Sequence, residues 1–309
     1  MKDITKIKVV GVGGSGSNTV TRMAKSKIKG VELIAINTDN QDLNKANAHY
    51  KIRIGKSLTR GLGTGMNPEI GRKSAEEQKE EITKILKGSD MVFVTCGLGG
   101  GTGSGAAPVV AEIAKGLGAL TIGVVTRPFS FEGLSRQRIA ENSQRLLKKK
   151  VDALLAIHND KLLETAELNA TIINAFSACD DILRQAVQGI SDLIMLPGII
   201  NVDFANIKTI MKDSGSALFG VGIAKGEKRA QAAALAAIKS PLLDISPKGA
   251  KGILFNVSGG KDISLAEIDE ISKIITEEIS PEARIVFGAV YDDKLKKGEI
   301  KVTLIATGF

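Results

Sequence analysis

Apolar residues gather in short runs that end, repeatedly, at glycine or at a polar cluster. Lys6 to Val10 alternates into such a run and meets Gly11; Val31 to Ile36 ends in Asn37-Thr38-Asp39; Met91-Val92-Phe93-Val94 leads towards Gly97. Ala119 to Val125 and Val151 to Ile157 repeat the theme, the last ending in His158-Asn159-Asp160. Runs of this length and continuity predict strands buried on both faces. Between them the apolar positions recur at helical spacing. Asn67-Pro68-Glu69 reads as an N-cap with proline at the first helical position, opening a helix expected to reach Lys87 and stop at Gly88. Another helix is expected from Ala106, with Pro108 in its first turn, and a third from Leu134 through Ile139, Ser143, Leu146 and Leu147.

Strands alternating with helices predict an α/β fold whose first domain, 1–170, is a parallel sheet with helices on both faces. Residues 171–196 form the longest helical pattern. Ile172, Ile173, Phe176, Ile182, Leu183, Val187, Ile190 and Ile194 give it an apolar stripe too broad for a surface helix, so it is expected to be a buried central helix ended by Pro197-Gly198. A smaller α/β domain, 197–309, follows. Its strands are Ala217 to Ala224, Gly252 to Val257, Arg284 to Val290 and Ile300 to Thr307, the last two joined by a turn containing Lys297-Gly298. Its helices are Lys228 to Ile238 and one capped by Ser264 and Glu267 that reaches Glu278.

The chemistry concentrates where strands end. Gly97 to Gly105 reads GLGGGTGSG, with six glycines in nine residues. Strand, glycine loop and helix in that order offer free backbone N–H groups and the positive end of a helix dipole to an anion. A structural turn needs one or two glycines; this many point to close backbone approach by a phosphate. Gly99, Gly100, Gly101, Gly103 and Gly105 form that cradle, and Thr102 and Ser104 add hydroxyl donors. Gly11 to Asn18 matches the dinucleotide fingerprint GxGxxG through Gly11, Gly13 and Gly16, and Asp39 at the tip of the second strand is where such a fold grips a ribose. These residues alone are compatible with a nicotinamide-dependent dehydrogenase, but no hydride-transfer site accompanies them. Gly63-Thr64-Gly65 makes a third glycine turn. Gly55-Lys56-Ser57 is not a P-loop, because the required preceding glycine is Tyr50.

Composition narrows the partners. The 309 residues are 43% hydrophobic and 25% charged, as in a globular chain. The excess of 42 basic over 34 acidic residues is spread out, and with two tyrosines and no tryptophan it favours a solvated basic surface over a nucleic-acid platform. Two cysteines, Cys96 and Cys179, and two histidines form no ligand spacing, so no protein-held metal is expected; Mg2+ arriving with a nucleotide is compatible. With no long apolar run and a short polar start, the chain reads as cytoplasmic, without membrane insertion.

Taken in order, the motifs resemble the FtsZ family, prokaryotic homologues of tubulin. GVGGSGSN (11–18), INTDNQDL (36–43), GLGTGMNPEIG (61–71), GLGGGTGSGAAPVVA (97–111), TRPFSFEG (126–133), NDKLL from Asn159, AVQGISDLI (186–194) and PGIINVDF (197–204) carry the resemblance, which continues to Phe309. It implies a GTP- and GDP-binding GTPase that assembles head-to-tail with copies of itself into the filaments of the mid-cell division ring. The phosphates would be held by Gly13, Gly14, Ser15, Gly16, Gly63 to Gly65 and Gly99 to Gly105, with Thr126 and Pro128 on the neighbouring TRPFSFEG loop. Glu132, Arg136 and Asn159 would meet ribose or phosphate. Asn18, Phe176 and Asp180 would form the base site; four apart on one helix face, Phe176 can stack on a purine while Asp180 accepts from guanine N1–H and its 2-amino group.

The resemblance also implies that the segment Asn201 to Asn206, entering as a loop, completes the nucleotide site of the next subunit, with Asn201, Asp203 and Asn206 as the hydrolytic residues. The family carries aspartate where this chain has Asn206, so a GTP-binding scaffold that hydrolyses slowly is the alternative. The family's terminal peptide for division proteins and membrane anchors has no counterpart up to Phe309. Cys96, ending the strand before the central loop, and Cys179, beside Asp180, are both expected near the nucleotide.

Overall fold

The computed structural model describes residues 5–28, 30–163, 171–195, 198–200, 202–240, 247–277, 279–280, 282–292 and 295–309. The chain divides into two compact units, Met1–Ser191 and Asp192–Phe309. The first unit runs β1 (Ile7–Val12), α1 (Gly13–Lys25), β2 (Val31–Asn37), α2 (Asn40–Lys45) and β3 (Tyr50–Arg53). It continues with α3 (Pro68–Glu77), α4 (Lys79–Leu86), β4 (Met91–Gly97), α5 (Gly101–Gly116), β5 (Leu120–Arg127), α6 (Leu134–Lys148), β6 (Ala153–His158) and α7 (Asn159–Leu163). α8 (Ile172–Met195) follows.

In this unit the strands lie in the order β3-β2-β1-β4-β5-β6, and every pair is parallel. Val10, Ile34, Val92, Val94 and Val125 from the strands pack with Ala106, Val110, Ala114 and Leu147 from the helices into one core. The chain order reverses at β1 and β4, and that is where ligands enter an open parallel sheet. α1 and α5 start there, immediately behind the two strands.

Two helix boundaries differ from the sequence expectation. The helix expected from Asn67 to Lys87 is two helices, broken at Gln78 (φ −103°, ψ 23°), whose side chain turns inward and accepts from the Gly55 N–H at 2.5 Å. The helix expected from Ala106 begins instead at Gly101, which places Pro108 inside it rather than in its first turn. Proline has no N–H for the Ser104 carbonyl. Ser143 of α6 supplies the missing donor, its Oγ reaching that carbonyl at 2.6 Å, so the helix runs on through the proline.

The second unit contains β7 (Gly198–Ile200), α9 (Phe204–Met211), β8 (Gly215–Lys225), α10 (Arg229–Ile238), β9 (Gly252–Gly259), α11 (Leu265–Glu277), β10 (Arg284–Tyr291) and β11 (Glu299–Thr307). Its strand order is β8-β11-β9-β10-β7. β11 is antiparallel to β8 and β9, whereas β10 is parallel to β9. β10 and β11, consecutive in the chain, are therefore not neighbours. The expected capping box of α11 is present: Ser264 Oγ accepts from Glu267 N–H and Glu267 Oε2 accepts from Ser264 N–H. Buried Arg229 joins α10 to this turn through Glu267 and Asp262, each at 2.6 Å. Phe204, Ala205 and Asn206, expected in a loop, occupy the first turn of α9. The end expected at Pro197 lies outside the described residues. Among the described residues, no helix is long and apolar enough to cross a membrane.

Candidate functional site

α1 and α5 begin without a side-chain cap on their first N–H groups. Such orphan donors need a partner, and here they converge. Gly13 (φ +75°) lets the two helix starts touch: a Cβ there would lie 2.9 Å from the backbone nitrogen of Gly103. Two helix dipoles thus present their positive ends to one cavity, of about 320 Å³. Gly13, Gly14, Ser15, Thr64, Gly100, Gly101, Thr102 and Gly103, from the helix starts and the glycine turns, line it together with Thr126, Pro128, Glu132, Arg136, Asn159, Phe176 and Asp180. Both glycine motifs therefore line one cavity, which the dehydrogenase reading, built on the first alone, does not account for.

The other glycines and polar residues singled out from the sequence are not among the cavity's lining residues. Gly16 is pressed against the Thr95 carbonyl, and Gly105 against that of Pro68, where a Cβ would sit 1.9 Å away. Gly99 donates its N–H to Ser104 Oγ at 2.9 Å, which fixes the turn before α5. Asp39 caps α2, accepting from Gln41 and Asp42 N–H at 2.8 and 3.0 Å. Gly63 and Gly65 hold positive φ in the neighbouring turn, and Asn18 is exposed on α1. Asp203 immediately precedes α9 and is exposed, as is Asn206; Asn201 lies outside the described residues.

The side of the cavity that carries Phe176 and Asp180 is built from α1, α8 and the short turn Ser130–Glu132. Phe129, fully buried, stacks on Phe131 at 4.9 Å and meets Phe176 edge-on at 5.3 Å. This buttress holds Phe176, itself 42% exposed, with ring surface left for a flat ligand. Asp180, four residues on, receives Arg22 Nε at 3.1 Å and Thr19 Oγ1 at 3.2 Å. Burial raises its pKa against the opposing pull of Arg22. Glu132 accepts from Phe129 N–H and from Arg136 Nη1, at 2.9 and 2.7 Å, so both charged side chains are positioned before any ligand binds. Asn159 is buried, with Oδ1 unpartnered at the cavity wall, an acceptor suited to a sugar hydroxyl.

Thr19, Arg22 and Thr38 escaped the sequence reading. Thr19 and Arg22 follow Ser15 by four and seven residues, so helical spacing puts them on the cavity side of α1. Thr38, wholly buried, shares a hydrogen bond of 2.7 Å with Thr102. Of the two cysteines, Cys179 lines the cavity, whereas Cys96 lies beneath Gly103 in the core. Burial pushes both thiols up to about 12.

Comparison with known proteins agrees with this geometry. Residues 6–167 match the Tubulin/FtsZ family GTPase domain, and residues 215–309 match the FtsZ family C-terminal domain. An empty FtsZ dimer from M. jannaschii is 46% identical, with a TM-score of 0.95 over all of this chain and 89% of that one. A mutant FtsZ from the same organism is 47% identical, with a TM-score of 0.94 over 99% and 91% of the two chains. A GTPγS-bound CetZ2 protofilament from Haloferax volcanii shares the fold at 21% identity, with a TM-score of 0.82 over 98% and 92%. The uncapped helix starts, the cavity and both domain matches lead to one assignment: the chain belongs to the Tubulin/FtsZ family of GTPases, and within it to FtsZ.

Proposed function

We propose that this protein is a GTP-dependent, self-assembling cytoskeletal GTPase that forms the cell-division ring. The observation that carries the nucleotide assignment is the pair of uncapped helix starts, α1 and α5, meeting at a cavity whose far end holds Phe176 and Asp180. The glycine backbone and Thr102 bind the phosphates, Asn159 and Glu132 the sugar, and Phe176 with Asp180 the guanine. Among the described residues no group of three or more His, Cys, Asp or Glu is placed to hold a metal. In this reading Mg2+ enters with the nucleotide, with phosphates and waters as its main ligands. Asp42, whose Oδ2 lies 3.5 Å from where a Gly14 Cβ would sit, is close enough to orient such a water.

Self-association is favoured by the dimer and protofilament forms of the similar structures. In this reading filaments grow head-to-tail in the cytoplasm at mid-cell, with residues 1–170 as the nucleotide domain, 171–196 as a central helix and 197–309 as the assembly domain. The second unit of one subunit offers Asp203 and Asn206, with Asn201, to the γ-phosphate of its neighbour. Partners that anchor the ring to the membrane would engage a terminal peptide beyond the globular body. Asn206 favours a second reading, a filament scaffold with slow turnover, because an amide replaces an acid. Identifying the nucleotide released on denaturation, then following sedimentable filament and phosphate together after adding GTP, tests both. Guanine nucleotide with GTP-dependent sedimentation supports assembly, and the phosphate rate separates the fast from the slow form. A nucleotide-free protein indifferent to GTP would refute the proposal.

A further inference from the structure

Asp180, beside Phe176 in the cavity lining, is the carboxylate assigned to tell guanine from adenine, and its own environment is asymmetric. A carboxylate accepts about four hydrogen bonds, two on each oxygen. Thr19 Oγ1 approaches Oδ1 and Arg22 Nε approaches Oδ2, which leaves one acceptor direction on each oxygen, the number that guanine's N1–H and 2-amino donors require. Thr19 is a divided partner. Its hydroxyl has a single proton and lies 3.0 Å from the Ser15 carbonyl as well as 3.2 Å from Asp180. Arg22 is not divided in this way, because its second nitrogen, Nη2, donates to Ser177 Oγ at 2.8 Å, one turn before Asp180 on α8. The guanidinium is thereby clamped along the helix face that presents the carboxylate.

We infer that Arg22 is a positioning residue for guanine recognition: its bonds to Asp180 and Ser177 hold the carboxylate turned so that both oxygens face the base. The inference rests on the assignment of Asp180 to guanine. The other charges near Asp180 do not do this work. Asp181, next to it, is taken by Arg184 Nε and Gln185 Nε2, both at 2.7 Å, and as an anion it opposes ionisation of its neighbour. Glu132, across the cavity, is held by Arg136. Cys179 is a neutral thiol at ordinary pH. Arg22 is the one cation in hydrogen-bond contact with Asp180 among the described residues. A protonated Asp180 would place an O–H against guanine's donors, so losing Arg22 should lower guanine affinity and move its acid limit to higher pH.

The test uses GDP, IDP and ADP as probes, titrated calorimetrically into the full chain across a pH series, so that neither assembly nor hydrolysis enters. Inosine keeps N1–H and lacks the 2-amino group. Arg22→Gln is expected to weaken GDP roughly tenfold near neutral pH, the effect of losing one charge-assisted hydrogen bond, with ADP little changed. The GDP preference over IDP should shrink, and GDP binding should fail at a higher pH than in the unmodified protein. Arg22→Lys, which keeps the charge, should return the pH profile towards the original. Arg22 is part-exposed, so the variants are expected to melt near the unmodified protein, and melting is recorded alongside. Equal losses of GDP and ADP, or an unshifted pH profile, would overturn the inference and make Arg22 a contact to sugar or phosphate. Equal binding of GDP and ADP by the unmodified protein, unchanged in Asp180→Asn, would instead remove the guanine assignment itself, and this inference with it.

Discussion

Thr38 Oγ1 and Thr102 Oγ1 lie 2.7 Å apart, the first just after β2 and the second in the first turn of α5. Thr102 lines the cavity, and among the described residues its other side-chain hydrogen-bond contact is Thr64 Oγ1, at a marginal 3.4 Å. Thr38 therefore sets the direction of the Thr102 hydroxyl. Thr38→Val keeps the shape and removes the partner. It should lower stability by about 1 kcal/mol, and more if Thr102 finds no water, while weakening GTP; Thr38→Ser should restore both. Thermal melts and nucleotide titration check this. A valine variant with unchanged GTP affinity would make the pair a structural bond only.

Two glycines of the central motif should separate binding from packing. Gly100 has φ −90°, and nothing lies within 4 Å of where its Cβ would be. A Cβ at Gly105 would lie 1.9 Å from the Pro68 carbonyl oxygen of α3. Gly105→Ala must push the helices apart and should cost about 1–3 kcal/mol, the range of overpacking. Gly100→Ala should leave the melting temperature nearly unchanged and weaken nucleotide binding, because its methyl enters ligand space. The reverse pattern would place the phosphates elsewhere.

That contrast also marks how far the sequence is legible. Apolar runs locate β1, β2, β4, β5 and β6 to within a few residues but miss the short edge strand β3, half of whose residues are exposed, and the glycine motifs locate a cavity-lining edge, because both depend on neighbours close in the chain. What escapes the sequence depends on distant partners. Pro108 marks a helix start until Ser143, 39 residues from Ser104, supplies the missing hydrogen bond. Gln78 breaks a continuous amphipathic pattern because it serves Gly55, 23 residues away. Thr38, Thr19 and Arg22 are ordinary polar positions until folding brings them to Thr102 and Asp180. Six glycines in nine residues signalled a phosphate cradle, yet Gly105 is needed for helix packing.

Asp180 should reduce stability while no ligand is bound. Its pKa is raised from 3.8, burial outweighing Arg22, so the folded protein holds this proton more tightly than the unfolded chain. Stability therefore falls as pH rises from about 3.8 to the folded value, and the loss persists above it. Near neutral pH, nucleotide-free Asp180→Asn should melt above the unmodified protein, and the gap should close in acid. The same variant should bind GTP less well, since an amide offers one acceptor to guanine's two donors. A variant less stable at neutral pH would contradict the direction of this shift.

Cys96 and Cys179 should differ in what protects them. With both thiols pushed up to about 12, thiolate is scarce near neutral pH and alkylation is slow at each. Cys179 lines the cavity, so bound GDP should slow its labelling further. Cys96 is sealed in the core and should react only when the domain opens. Mass spectrometry after timed alkylation, with and without GDP, resolves the two. A Cys179 rate indifferent to GDP at saturating concentration would show that the ligand does not cover it.

Asp203 and Asn206 flank the start of α9, the Asn206 N–H donating to the Asp203 carbonyl at 2.9 Å, and three residues apart on a helical turn they share one exposed face. Attack on a γ-phosphate needs a water held in line, with positioning and electrostatics contributing most. Asp203 can accept a proton from that water. Asn206 can orient it but does not act as a base near neutral pH. Asn206→Asp should therefore raise phosphate release per unit of filament, on the order of tenfold to hundredfold, at or below the lower end of a general-base contribution. Faster hydrolysis should shorten filament lifetime, whereas Asp203→Ala should nearly abolish the remaining rate. The amide and the acid have nearly the same shape, so the amount of filament formed at first should be similar, and normalising phosphate to sedimented protein isolates the chemical step. If Asn206→Asp leaves that normalised rate unchanged, the second acid does not limit turnover in this protein, and Asp203 or another group carries the proton transfer alone.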